Sequence, residues 1–137
     1  MTTVLFACVR NAGRSQMAAA FFNALADPSK ARGLSAGTDP APRVHPEVVA
    51  AMQEVGIDLS NASTQCLTPD VAAQAQFLIT MGCGDRCPIV PGAKRDDWPL
   101  DDPGGQSLED VRRIRDAIRS RVERLIRQEG WMHAELV

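Results

Sequence analysis

The sequence predicts an α/β fold, a parallel β-sheet covered by helices on both faces. Three features carry that expectation: short apolar runs that read as buried strands, helical apolar stripes that alternate with them, and turn residues at the junctions. Parallel neighbours need crossover connections, and such crossovers are right-handed.

Taken in order, Thr3 to Ala7 is an apolar run too short for a helix and followed at once by a glycine-containing polar loop, which predicts a buried strand. Ser15 then stands where a helix cap belongs, ahead of Met17, Ala20, Phe21, Ala24 and Leu25 at helical spacing, and Asp27-Pro28 stops the helix. Gly33 to Gly37 allows a second strand. Pro46 suits the first turn of a helix that carries Val48, Val49, Met52 and Val55 and ends at Gly56. Thr68-Pro69 starts a short helix to about Gln74, and Gln76 to Met81 reads as another buried strand. Arg95 to Leu100 is an edge-strand candidate in a turn-rich stretch. Ser107 with Asp110 three residues on resembles a capping box, and Val111, Ile114, Ile118, Val122 and Leu125 form one stripe of a closing amphipathic helix.

The chain has 137 residues, 45% hydrophobic and 23% charged, so one core and a single domain spanning 1–137 are expected. A net charge of −2 supplies no global positive field for nucleic acid or acidic membranes, and any anion must be bound locally. No apolar stretch approaches the ~20 residues of a bilayer span. The start Met-Thr-Thr-Val-Leu-Phe-Ala-Cys lacks a basic n-region and cleavage site, so a cytoplasmic location is expected. In such a setting Cys8, Cys66, Cys83 and Cys87 are more often catalytic, redox or metal-binding than structural.

The strongest chemical signal is Cys8-Val9-Arg10-Asn11-Ala12-Gly13-Arg14-Ser15, between a predicted strand and the first turn of a helix. A loop there presents backbone N–H groups at the positive end of the helix dipole, a cradle for a tetrahedral oxyanion formed by Val9, Arg10, Asn11, Ala12, Gly13 and Arg14. Arg14 can grip two oxygens with its planar fork, and the same positive environment favours the thiolate of Cys8, the nucleophilic form. Ser15 can donate to that sulfur, Asn11 can fix the loop through its amide, and Gly13 permits a backbone shape denied to bulkier residues. The plainer reading, a core cysteine beside a capping serine, leaves Arg14 and the strand–loop–helix setting unexplained.

Cysteine, five residues, then Arg-Ser resembles the signature loop of the low-molecular-weight protein tyrosine phosphatase superfamily. The wider wording, Cys8 to Ala18, Ser35-Ala36-Gly37 and Ala51 to Ser60, is similar to the cytoplasmic arsenate reductases built on that fold. Thr80-Met81-Gly82-Cys83-Gly84-Asp85-Arg86-Cys87-Pro88 resembles their redox segment, and Trp98-Pro99-Leu100-Asp101-Asp102-Pro103 their acid loop. The resemblance implies a three-layer αβα architecture with a four-stranded sheet in the order 2-1-3-4. Cys8 and Cys83 would then end neighbouring strands at the topological switch point.

It also implies a reaction, in which the Cys8 thiolate attacks arsenate held by residues 9–14 and Asp102 protonates the departing oxygen, with Asp101 the rival acid. In one route Cys83 attacks Cys8 and Cys87 resolves to a Cys83–Cys87 disulfide for thioredoxin. In the other, a small thiol such as mycothiol attacks the adduct and a glutaredoxin-like mycoredoxin reduces the product. Phosphate and sulfate would compete as oxyanions, and the implied protein is a monomer without a bound cofactor. Cys83 and Cys87 could alternatively be half of a zinc site, but His45, His133 and Cys66 offer no second ligand pair. The potassium site of thioredoxin-coupled relatives uses acidic residues at positions that match Ala19 and Gln65, so no metal is predicted.

A tyrosine phosphatase is the alternative enzyme, although phosphatases of this type follow Asp-Pro with tyrosine where this chain has Gly104 and contains no tyrosine. A sensor that binds oxyanion or arsenite without turnover is the non-enzymatic alternative. The arginines between Arg112 and Arg127 alternate with Glu109, Asp110, Asp116 and Glu123 and read as a solvated helix face. Trp98 and Trp131 read as packing residues.

Overall fold

In the computed structural model, which describes residues 1–82 and 92–132, four strands and four helices follow one another as β1 (Thr2–Cys8), α1 (Arg14–Leu25), β2 (Ala31–Gly37), α2 (Pro46–Gln53), α3 (Pro69–Ala73), β3 (Phe77–Thr80), β4 (Lys94–Asp97) and α4 (Leu108–Glu129). The strands form one parallel sheet in the order β2-β1-β3-β4, as expected. Register brings Cys8 opposite Gly37, Ala7 opposite Thr80 and Thr80 opposite Asp97, so all four strands end at one edge.

Strand alternation divides the apolar residues between the two faces. Val4, Phe6 and Cys8 join a cluster with Met17, Phe21 and Phe22 of α1, Val48 and Met52 of α2, and Val111, Ile114, Ile118, Val122 and Ile126 of α4. Leu5 and Ala7 face the other way, onto Leu78, Ala36 and Ala72 of α3. Phe6 lies between Phe22 and Trp98, with ring centroids 5.8 and 5.7 Å away, and both tryptophans are buried.

Several expectations need correction. The first helix buries Ala18, Ala19 and Phe22 along with Met17 and Phe21 of the expected stripe, because it is packed between the sheet and α4, while Ala20 and Leu25 are half-buried and Ala24 is exposed. Ile126 rather than Leu125 completes the α4 stripe. β2 begins at Ala31, two residues earlier than expected, as β1 extends to pair Thr2 with Ala31. β4 is Lys94–Asp97 rather than residues 95–100, since Pro99 has no N–H with which to continue the ladder. Arg115 is not part of a solvated face: it is 8% exposed and donates to the Ala51 carbonyl and to Glu54, also pairing with Asp116.

The cap signals that open α3 and α4 act as read. Thr68 Oγ1 accepts from the Val71 N–H at 3.2 Å, and Ser107 Oγ accepts from the Asp110 N–H at 3.2 Å. Gly130, φ 75°, caps the end of α4 in the left-handed conformation. Among the described residues no helix is long and apolar enough to cross a membrane.

Candidate active site

The loop between Cys8 and Arg14 is shaped by where its carbonyls go. The carbonyls of Cys8, Val9, Arg10 and Ala12 accept from the backbone N–H groups of Thr38, Asp39, Ala41 and His45 at 3.1, 2.8, 2.8 and 3.0 Å. The carbonyl of Asn11 accepts from Gln16 Nε2 at 3.1 Å. In a trans peptide the N–H points opposite its carbonyl, so turning these carbonyls outward turns the N–H groups of residues 9–13 inward. The Asn11 N–H accordingly lies 3.3 Å from Cys8 Sγ. This inward ring of donors, above the first turn of α1, is what a tetrahedral oxyanion needs.

Cys8 is 2% exposed and Ser15 is fully buried, with 2.9 Å between Sγ and Oγ. Ser15 does not cap α1: the cap position is Gly13, and Asn11 Nδ2 donates to Ser15 Oγ at 2.8 Å, leaving the hydroxyl hydrogen for the sulfur. Asn11 sits at φ 50°, a left-handed conformation that asparagine tolerates better than most side chains. Its Oδ1 accepts from the Gln65 N–H at 2.8 Å and from Gln16 Nε2 at 3.2 Å, which fixes the amide plane.

Gly13 is needed for space: a Cβ there would collide with Pro103 Cγ. The loop of residues 98–106 therefore lies directly against the oxyanion loop. Arg14, 8% exposed, reaches across to the same segment, with Nη1 donating to the Leu100 carbonyl at 3.2 Å and Nη2 3.9 Å from Asp102 Oδ2. Asp101 turns away, 3.8 Å from Arg113 of α4. The geometry thus separates the two aspartates: Asp102 faces the site, half-exposed, its Oδ1 accepting from the Gly104 N–H at 2.9 Å.

Two further residues shape the site without having been singled out by sequence. Gly82 follows β3 at φ 90°, and the position of its missing Cβ is occupied by Arg14 Nη1. Gln16 ties Asn11 to the Ser63 carbonyl, 3.0 Å away. A glycine after a strand and a glutamine in a helix are too common to be told apart by pattern alone. Arg10, at the rim, pairs with Asp39 at 2.7 Å. Cys66 is exposed and bridges Gly37. Cys83, Cys87 and His133 lie outside the described residues.

A family model described as low molecular weight phosphotyrosine protein phosphatase matches residues 3–131. The chain belongs to this family. Within it, the glutaredoxin arsenate reductase of Synechocystis sp. is 40% identical over 129 residues, covering 92% of this chain and 97% of the relative. An arsenate reductase solved in the phosphate binding state is 38% identical, with a TM-score of 0.78 over 93% of this chain and 98% of that one. The thioredoxin-dependent arsenate reductase of Corynebacterium glutamicum is also 38% identical, with a TM-score of 0.80 over 93% of this chain. This chain spans 61% of that longer chain.

Proposed function

We propose that this protein reduces arsenate to arsenite for arsenic detoxification, with Cys8 as the nucleophile. The observation that carries the reading is the Cys8 sulfur inside a loop whose carbonyls are all turned outward, with Ser15 and the Asn11 N–H converging on it. Membership of a family whose relatives at 33–42% identity are named arsenate reductases supplies the substrate.

The thiolate attacks arsenic(V), forming a sulfur–arsenic bond, while Asp102 protonates the oxygen that leaves as water. Arg14 and the N–H groups of residues 9–13 hold the remaining oxygens, and Ser15 stabilises the sulfur as attacking and later as leaving group. A second thiolate then takes the Cys8 sulfur. The electron pair of the sulfur–arsenic bond stays with arsenic, which departs as arsenite, and a disulfide is left behind. On the internal route the second thiolate is Cys83; Cys87 then attacks Cys83, releasing the Cys8 thiolate and forming a Cys83–Cys87 disulfide for thioredoxin to reduce. On the external route it is a low-molecular-weight thiol such as mycothiol, regenerated through a glutaredoxin-like mycoredoxin. The protein acts as a cytoplasmic monomer of a single domain, with phosphate and sulfate as competing oxyanions.

The same first step would serve phosphotyrosine hydrolysis, but Gly104-Gly105 follow Asp102-Pro103, and the chain has no tyrosine to stack on an aromatic substrate. The test compares arsenate-dependent reductant consumption, with thioredoxin and with mycothiol–mycoredoxin, against hydrolysis of a phosphotyrosyl peptide. Sustained arsenate turnover with at least one donor is expected. Efficient peptide hydrolysis with no arsenate turnover on either donor would replace this reading by the phosphatase one.

A further inference from the structure

Gln16 belongs to no step above, yet its amide occupies a demanding position. The side chain is in the first turn of α1 and the residue is 6% exposed. Its Nε2 lies 3.0 Å from the Ser63 carbonyl, 3.1 Å from the Asn11 carbonyl and 3.2 Å from Asn11 Oδ1. Two amide hydrogens are thus shared among three oxygens, all drawn together at one nitrogen.

The consequence runs directly to the sulfur. Four of the five carbonyls of residues 8–12 are held outward by backbone N–H groups of residues 38–45, and the remaining one, that of Asn11, is held among the described residues by Gln16. That bond sets the Asn11–Ala12 peptide and so aims the Ala12 N–H inward. The bond to Oδ1, with that of the Gln65 N–H, sets the Asn11 side chain, which orients Ser15 Oγ toward Cys8 Sγ. We infer that Gln16 is a positioning residue for the Cys8 nucleophile, holding the backbone and hydroxyl donors that stabilise its thiolate.

Removing the amide leaves the Asn11 peptide free to rotate and lets Asn11, at φ 50°, relax toward a commoner conformation. Fewer donors then face the sulfur, and the nucleophile is less stabilised. Among the described residues, the ionisable groups around the loop are Arg10, Arg14, Asp39, Asp102 and His45, which lies against Gly104. The substitution alters none of them, so the change reports hydrogen bonding rather than charge.

This inference rests on Cys8 as nucleophile, but its test needs no arsenate and so fails separately from the functional reading. The variants are Gln16→Met and Gln16→Leu, which keep the volume and lose the donors, and melting curves show which is folded. The rate of Cys8 alkylation by iodoacetamide is followed by mass spectrometry of the Cys8 peptide at pH 7 and pH 10. We expect the rate at pH 7 to fall about 3- to 10-fold, the range spanned by one neutral hydrogen bond, and the rates at pH 10 to converge. An unchanged rate at pH 7 in a folded variant overturns the inference, and so does an equal slowing at both pH values, which would mean lost access rather than lost stabilisation.

Discussion

Replacing Gly82 by alanine tests the link between Arg14 and the bound oxyanion without touching either. The new Cβ would stand where Arg14 Nη1 now lies, with Cζ only 3.3 Å away, and Gly82 has φ 90°. A left-handed conformation costs an L-residue about 1–2 kcal/mol. For a chain of 137 residues, with about 2.1 cal/mol/K of unfolding entropy per residue, this lowers Tm by about 4–7 °C. The guanidinium must also move by about an ångström, and because Arg14 is buried against Leu100 it has no equivalent place to go. A misplacement of that size costs about 10²-fold in rate. The assay is arsenate turnover at saturating reductant, with thermal melting on the same preparation. A Gly82→Ala protein that melts several degrees lower but turns over at the parental rate would refute the reasoning, since it would show that the position of Arg14 is immaterial.

Other outcomes follow from the same geometry. Asp102→Asn should slow the first chemical step about 10²- to 10⁴-fold, the range for a positioned general acid, whereas Asp101→Asn, which pairs with Arg113 outside the site, should stay within a few-fold in the same assay. Glu54, hydrogen-bonded by Arg112 and also by Arg115, has its carboxyl lowered to about 2. Because the folded value is below the unfolded one, its stabilisation is present above pH about 4.5 and is lost as pH falls toward 2. Glu54→Gln should therefore lower Tm at pH 7, with the difference from the parent narrowing in melts below pH 4.5. Ile118→Ala, fully buried between α4 and the sheet, should cost about 2–5 kcal/mol in denaturant unfolding while the folded protein still reduces arsenate.

The elements whose causes are local were readable from sequence. Thr68-Pro69 and Ser107 with Asp110 act at the positions that their side chains dictate, and the order of strands and helices follows from apolar runs too short or too periodic to be otherwise. Where tertiary contacts decide, sequence was a poorer guide. The second strand gained Ala31 and Arg32 by pairing with β1, and Arg115 is buried because Glu54 and the Ala51 carbonyl of α2 meet it there.

The site divides in the same way. Cys8, Arg14 and Ser15 stand out because their spacing is rare, and the choice between Asp101 and Asp102 needed the fold, since adjacent residues in a loop differ only in which neighbour they meet. A serine ahead of an apolar stripe has the form of a cap, yet Ser15 lies inside α1. Its hydroxyl is instead turned back to the sulfur by Asn11. Gly13 has a reason that only folding supplies, since Pro103, ninety residues away in the chain, excludes a side chain there. Gln16 and Gly82 carried no signal, because each acts through atoms that only folding brings near.

The most direct test of the account is arsenic speciation under multiple turnover. Reduced protein is incubated with excess arsenate and both donor systems, and arsenite is quantified against enzyme for the parent and for Cys8→Ser and Arg14→Ala, each confirmed folded by melting. The account predicts many equivalents of arsenite from the parent and none above background from either variant. Near-parental arsenite from folded Cys8→Ser, or no more than one equivalent from the parent, would contradict it.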